Sequence, residues 1–248
     1  MQIKRILTGI LTGALMLALL GAFVGCADNI TYENADEYTA GDFQTEEKIS
    51  SVVIYWEGGE VLLKNTISST LRASEERDAT AVKMQYRIKD GVLSIYPCAS
   101  GERVEAKKSL TLYLPYDYAN TIETVSITTV GAAPVTVESA AAQKLTVVAD
   151  AAPVIVKGRI GEVNVTTATG DLLIESQRAE KINFTSDKGN ASISLQTNGF
   201  VAVMQGGGEL TTEFDAHRDG NAYRYGNQSL AMIFDTRGDV ALKNYKAK

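Results

Sequence analysis

The chain of 248 residues contains one histidine, two cysteines and four prolines, and its lysines and arginines form no cluster. One histidine leaves too few imidazoles for a His-rich metal site and removes most His-based catalysis. Two cysteines exclude a disulfide scaffold. Four prolines beside 21 glycines exclude collagen and low-complexity disorder. A binder of the phosphate backbone needs clustered basic side chains. Here 24 Lys and Arg face 30 Asp and Glu, a net charge of −6. Without Lys4 and Arg5, which sit in a leader, 22 basic residues remain and the balance is −8. Nucleic acid is therefore not an expected partner, and no metal or cofactor is expected. What is present, 45% hydrophobic and 22% charged residues, suits a folded globular chain.

Residues 1–25 read as an export signal. Lys4 and Arg5 precede an uncharged stretch from Ile6 to Val24, and Gly25 stands before Cys26. The layout resembles a bacterial lipoprotein signal, with Phe23 where leucine is usual. That resemblance implies cleavage between Gly25 and Cys26 and a lipid, palmitate included, on Cys26. The alternative is an uncleaved anchor helix, whose length approaches the roughly 20 apolar residues of a membrane span; its threonines and glycines count against it. Either way the chain is exported and held at the membrane on its extracytoplasmic side. Residues 26–47 carry seven acidic side chains and no basic one before Lys48, so they read as a self-repelling tether. Cys98 closes an apolar strand pattern with no cationic neighbour in sequence, which predicts a buried, inert thiol.

From Ile49 onward apolar and polar residues alternate, and helical spacing is nearly absent. The fold class is all-β. The pattern Val163-x-Val165-x-Thr167-x-x-Gly170-x-Leu172-x-Ile174 recurs as Ile182-x-Phe184-x-Ser186-x-x-Gly189-x-Ala191-x-Ile193. It recurs again as Val201-x-Val203-x-Gln205-x-x-Gly208-x-Leu210. Two earlier units, around Val125 to Val137 and Leu145 to Val156, fit the same period. A short strand-turn-strand period predicts a single-domain β-solenoid, in which equivalent residues stack. Val163, Ile182 and Val201 would form one inward ladder, and Leu172, Ala191 and Leu210 another. Gly170, Gly189 and Gly208 are expected at positive φ in the turns. A β-sandwich of hairpins is the alternative architecture. The repeats occupy 121–212 of a domain over 48–248. Residues 48–120 read as a β-rich N-terminal cap, and 213–248 as an insertion and C-terminal cap.

The motifs Tyr38-x-x-Gly41, Val52-x-Ile54-x-Trp56-x-Gly58, Asp90-Gly91-x-Leu93-x-Ile95, Leu112-x-Leu114-Pro115 and Gly170-Asp171 follow in order. Together with the repeat, over residues 38–245, they resemble the bacterial putative-adhesin β-solenoid family, a domain of unknown function. The resemblance implies an extracytoplasmic β-helix and brings no catalytic residues with it.

Catalytic motifs are scarce. There is no Gly-x-Ser-x-Gly and no Ser-x-x-Lys. His217 lies in a polar insertion and reads as a loop residue. Gly206-Gly207-Gly208 lacks the Lys-Ser/Thr of a phosphate loop, and Arg237-Gly238-Asp239 falls on a repeat turn. Asp150 and Asp187 share one repeat position, and Asp171 and Asn190 share the next. Tight turns favour Asp and Asn, yet the same carboxylates are candidates for a sugar- or Ca²⁺-binding edge. Tyr223 and Tyr225 are the candidate recognition aromatics. The expected function is a lipid-anchored binding or structural module of the cell envelope, with a protein or glycan ligand, and not an enzyme. The alternatives are a carbohydrate-active enzyme using the turn carboxylates, or an accessory domain of an envelope sensor.

Overall fold

A computed structural model describes residues 29–115, 122–176 and 179–245; Cys26 lies outside them. Among the described residues the only helix is a 3-10 turn over Ala35–Glu37, and twenty strands form one hydrogen-bonded network. Alternation makes them strands: Thr124–Val130, for instance, buries every second side chain, as a pleated ribbon with one covered face requires.

Two long strands, Val135–Ala149 and Val154–Thr167, organise the network. Their N-terminal parts pair with each other and with Val61–Lys64 and Leu172–Ile174. Their C-terminal parts pair with each other and with Thr124–Thr128 and Lys181–Ser186. Each strand therefore passes from one row of strands to a second. The first bends at Ser139, whose φ is +61°, with a register break between Glu138 and Ala141. Gly158 lies opposite, where an added Cβ would fall 2.3 Å from the Ala140 carbonyl oxygen.

Parallel pairing then continues in register along both rows. In the first, Leu93, Val52, Val125, Leu145, Val163, Ile182, Met232 and Ala202 are successive partners. In the second, the partners are Leu110, Val61, Val135, Val154, Leu172, Ala191, Val240 and Leu210. All sixteen side chains are buried in a single apolar cluster. The 19-residue period seen in the sequence is the step from Val163 to Ile182 and from Leu172 to Ala191.

The last step differs from expectation. Ile182 is followed by Met232, not Val201, and Ala191 by Val240, not Leu210. Val201 and Val203 are half-exposed, while Phe200, Ala202 and Met204 point inward. All five residues are apolar, so alternation could not choose the face, and a slip of one residue exchanges the two faces. The chain places Gly199–Met204 one slot further out. It then folds Ala222–Gly226 antiparallel onto that strand's outer edge and returns through Leu230–Thr236 to fill the gap.

The opposite end is closed by antiparallel strands too: Leu71–Arg77 on the strand over 108–115, and Gln85–Lys89 on Val92–Tyr96. The acidic segment takes part in this closure. Ile30 bridges Glu102, Thr39–Ala40 pairs with Tyr86 and Gln85, and Phe43–Thr45 pairs with Ala73 to Leu71. Ile30, Thr39–Ala40 and Phe43–Thr45 are thus hydrogen-bonded to the body of the fold. Glu37 of this segment is held by Arg87 and Lys89, remote in sequence, at 2.9 and 3.0 Å, and Phe43 is buried. The outermost strands, Thr39–Ala40, Phe43–Thr45, Leu210–Thr212 and His217–Asp219, have two or three residues each. Edges this short offer little to an adventitious partner strand.

Candidate binding surfaces

The turns leading from the first row to the second carry the carboxylates singled out above. Inside each turn a hydroxyl acts as a staple. Thr167 Oγ1 donates to the Gly170 carbonyl (2.7 Å), Ser186 Oγ accepts from the Gly189 N–H (2.8 Å), and Thr236 Oγ1 accepts from the Gly238 N–H (2.9 Å) while donating across to the Gly189 carbonyl of the neighbouring turn (2.7 Å). These links account for the Thr/Ser-x-x-Gly signature. Its glycines serve a purpose other than the one expected. Gly170, Gly189 and Gly208 do not have positive φ. A Cβ on Gly189 would instead lie 2.1 Å from the Gly170 carbonyl oxygen, and one on Gly170 would lie 2.1 Å from that of Ala152. Hydrogen turns toward the neighbouring backbone because turn is packed on turn. Gly189→Ala is expected to cost about 1–3 kcal/mol as overpacking, measured by urea unfolding. An unchanged midpoint would refute the close approach.

On the outside of these turns the register aligns Asp150, Ala168, Asp187 and Arg237. Asp150 accepts from the Gly131 N–H at 2.8 Å, and Asp187 pairs with Arg237 at 2.7 Å. The neighbouring column runs Asp171, Asn190, Asp239. The Asn190 N–H donates to Asp171 Oδ1 (2.8 Å) and the Asp239 N–H donates to Asn190 Oδ1 (2.9 Å). Asp239 of the Arg-Gly-Asp tripeptide thus belongs to this ladder. Among the described residues Asp171, Glu209 and Asp239 have no cationic partner.

These three carboxylates edge an open groove of about 600 Å³ across the outer face of the second row. Its floor is the outward column of successive strands, Ile155, Leu173, Ser192, Ala241 and Thr211. Ser192 and Ala241, the shortest of the five, make the hollow, and Lys243 lines the same groove.

Tyr223 and Tyr225 lie elsewhere, on the strand that closes the C-terminal end. Tyr225 packs against Phe200 and Phe214 with ring centroids 5.6 and 5.1 Å apart, and the Arg218 guanidinium lies 5.3 Å from the Tyr223 ring. Both tyrosines rest on the apolar cluster. His217 is exposed on the adjoining edge strand. Cys98 is buried, and burial pushes its thiol up to about 11. Among the described residues no group of three or more His, Cys, Asp or Glu is placed to hold a metal ion.

Two further features lie at the N-terminal end. Tyr32 stacks on Tyr96 at 4.0 Å and meets Tyr38 at 4.7 Å, fastening the acidic segment to the N-terminal end. Deeper in that end, the fully buried Lys108 ammonium lies 2.7 Å from Glu75 and donates to the Val82 carbonyl at 2.6 Å and to that of Pro97. The indole N–H of Trp56 donates to the Lys108 carbonyl (3.3 Å). Burial draws the Lys108 pKa below the ordinary lysine value, against the pull of Glu75.

No family model matches the chain, and no curated protein matches it. Among solved structures it is similar to a putative cell adhesion protein from Clostridium sporogenes, with 14% identity over 84% of this chain and 100% of that one (TM-score 0.48). It is also similar to a putative adhesin from Bacteroides fragilis, with 13% identity over 84% of this chain and 97% of that one (TM-score 0.42). A putative lipid binding protein from Parabacteroides distasonis shares 12% identity over 83% of this chain and 96% of that one (TM-score 0.35).

Proposed function

We propose that the chain is an exported β-solenoid, lipid-anchored through Cys26, that serves as a binding or structural module of the bacterial cell envelope. The observation that carries this reading is the parallel, in-register stacking of equivalent residues along both rows. Hairpin-built sandwiches pair their strands antiparallel, whereas here antiparallel pairing is confined to the two ends. Stacking of this kind leaves long, stiff outer faces, one of which presents Asn164 and Asn183 joined at 2.6 Å. Binding suits these faces better than catalysis does, because Asp150 and Asp187 already serve a backbone amide and an arginine. The excess of acid keeps nucleic acid from the list of partners.

The anchor is short in this reading. The Ile30 N–H donates to the Glu102 carbonyl and the Ile30 carbonyl accepts from the Gly101 N–H, both at 2.7 Å, and four residues extended from Ile30 to Cys26 span roughly 14 Å at most. The N-terminal end would therefore be held close to the membrane. Cys26→Ser is expected to abolish palmitate incorporation, because it removes the thiol that carries the lipid in this reading. Equal labelling of wild type and Cys26→Ser would overturn the lipoprotein reading.

A further inference from the structure

We infer that the groove over the second row binds a linear glycan bearing protonated amino groups, laid along the direction in which the strands stack. The inference rests on the binding-module reading and gives it a site and a ligand class. The strands under Ile155, Leu173, Ser192 and Ala241 are paired on both sides, and only Leu210–Thr212 at one end of the floor has an open edge. The backbone at the groove's carboxylate edge is occupied as well: the Leu172, Ala191 and Val240 amides donate to the Asn190, Asp239 and Glu209 carbonyls. The one open edge, Leu210–Thr212, is three residues long and lies at the end of the groove, so a peptide laid along the floor would leave most of its own amides and carbonyls to water. What the groove offers is side chains: carboxylates, the Asn190 amide, the Ser192 and Thr211 hydroxyls and the Lys243 ammonium. Sugar hydroxyls both donate and accept, and so can use all of these groups.

Spacing and charge narrow the class. Successive strands lie about 4.8 Å apart, close to the advance of one pyranose unit along an extended chain, so a repeating ligand meets a repeating site. Asp171, Asp239 and Glu209 have no cation of their own and outnumber Lys243 along the groove. That charge favours an amine-bearing chain over a neutral or anionic one. The apolar stretch at Ile155 and Leu173 can receive the C–H face of a ring.

The test is calorimetric titration of the detergent-solubilised full chain with a β-1,4-linked glucosamine hexamer, at a pH where its amines are protonated. Its N-acetylated counterpart and hexalysine are titrated in parallel. Binding of the amino sugar is expected, weakening with salt. It should fall about tenfold or more in the triple variant Asp171→Asn, Glu209→Gln, Asp239→Asn, which removes charged acceptors and keeps their shape. Ser192→Arg, a single outward change in the middle of the floor, should abolish it; thermal midpoints confirm that each variant is folded. Equal affinity of wild type and a folded variant, equal binding of the acetylated hexamer, or preference for hexalysine would each overturn the assignment. If no hexamer binds while the chain still sediments with isolated cell envelopes, the groove assignment falls and the module reading stands. Loss of envelope binding as well would take the module reading with it.

Discussion

Lys108→Met is expected to lower folding stability by about 3 kcal/mol, the low end for breaking a buried pair, because it removes one of the two cations on the buried Glu75 carboxylate and leaves it Arg77 at 2.8 Å. Glu75 is 2% exposed at its side chain and Lys108 fully buried, so solvent cannot replace the missing ammonium. The Val82 and Pro97 carbonyls lose their donor in the same change. Urea unfolding followed through Trp56, the sole tryptophan, reads the effect where it occurs. The Lys108 ammonium sits 5.3 Å from the centre of its ring. The control is the double variant Lys108→Met, Glu75→Gln, in which the amide oxygen still accepts from the Met84 N–H that Glu75 now receives at 3.0 Å. Its cost should be well below the sum of the single costs. Strict additivity would show that the pair is not energetically coupled.

Phe234→Ala should cost about 3–5 kcal/mol as an aromatic truncation in a packed core. Phe234 is fully buried between Phe184 and Met204 in the first row. Its neighbour Ile233 points the other way and is 39% exposed, so Ile233→Ala should stay within roughly 0.5 kcal/mol. Val201→Ala should behave like Ile233→Ala, since Val201 lies on the outer face. This comparison tests the order of strands directly. If the strand over 199–204 followed 181–186 in simple succession with Val201 inward, Val201→Ala would be costly and Phe234→Ala less so.

The two predictions concern residues that were unequally legible. Lys108 has the same parity as Leu110, Leu112 and Leu114, and Glu75 the same parity as Leu71 and Ala73. Extending each alternation by one more step would have placed a lysine and a glutamate inside together. Each lies at the charged end of its own stretch, and only the fold brings the two together. The carboxylate column was legible as far as its register, because Asp171 and Asn190 stand 19 residues apart. Glu209 stands a further 19 residues on and keeps that register in the sequence, whereas Asp239 enters between Asn190 and Glu209 only because the strand over 240–244 is inserted there. The groove was hidden for the same reason: Ser192 lies beside Ala241 only once 240–244 occupies the slot between 191–195 and 210–212.

By itself the sequence determined the all-β class, the 19-residue step, the spacing of the Thr/Ser-x-x-Gly turns and the inward set from Val125 to Ile193. Each of these follows from side-chain parity and spacing within a short stretch of chain. Tertiary structure alone decided the order of the last two coils, the docking of the acidic segment, the buried Lys108–Glu75 pair and the role of the turn glycines. Those depend on contacts between residues far apart in sequence. An apolar run such as Phe200 to Met204 fits either face equally well. A carboxylate such as Glu37 repels its sequence neighbours until the fold brings Arg87 and Lys89 beside it. A glycine's missing Cβ matters only once another turn's carbonyl oxygen lies 2.1 Å from where that atom would be.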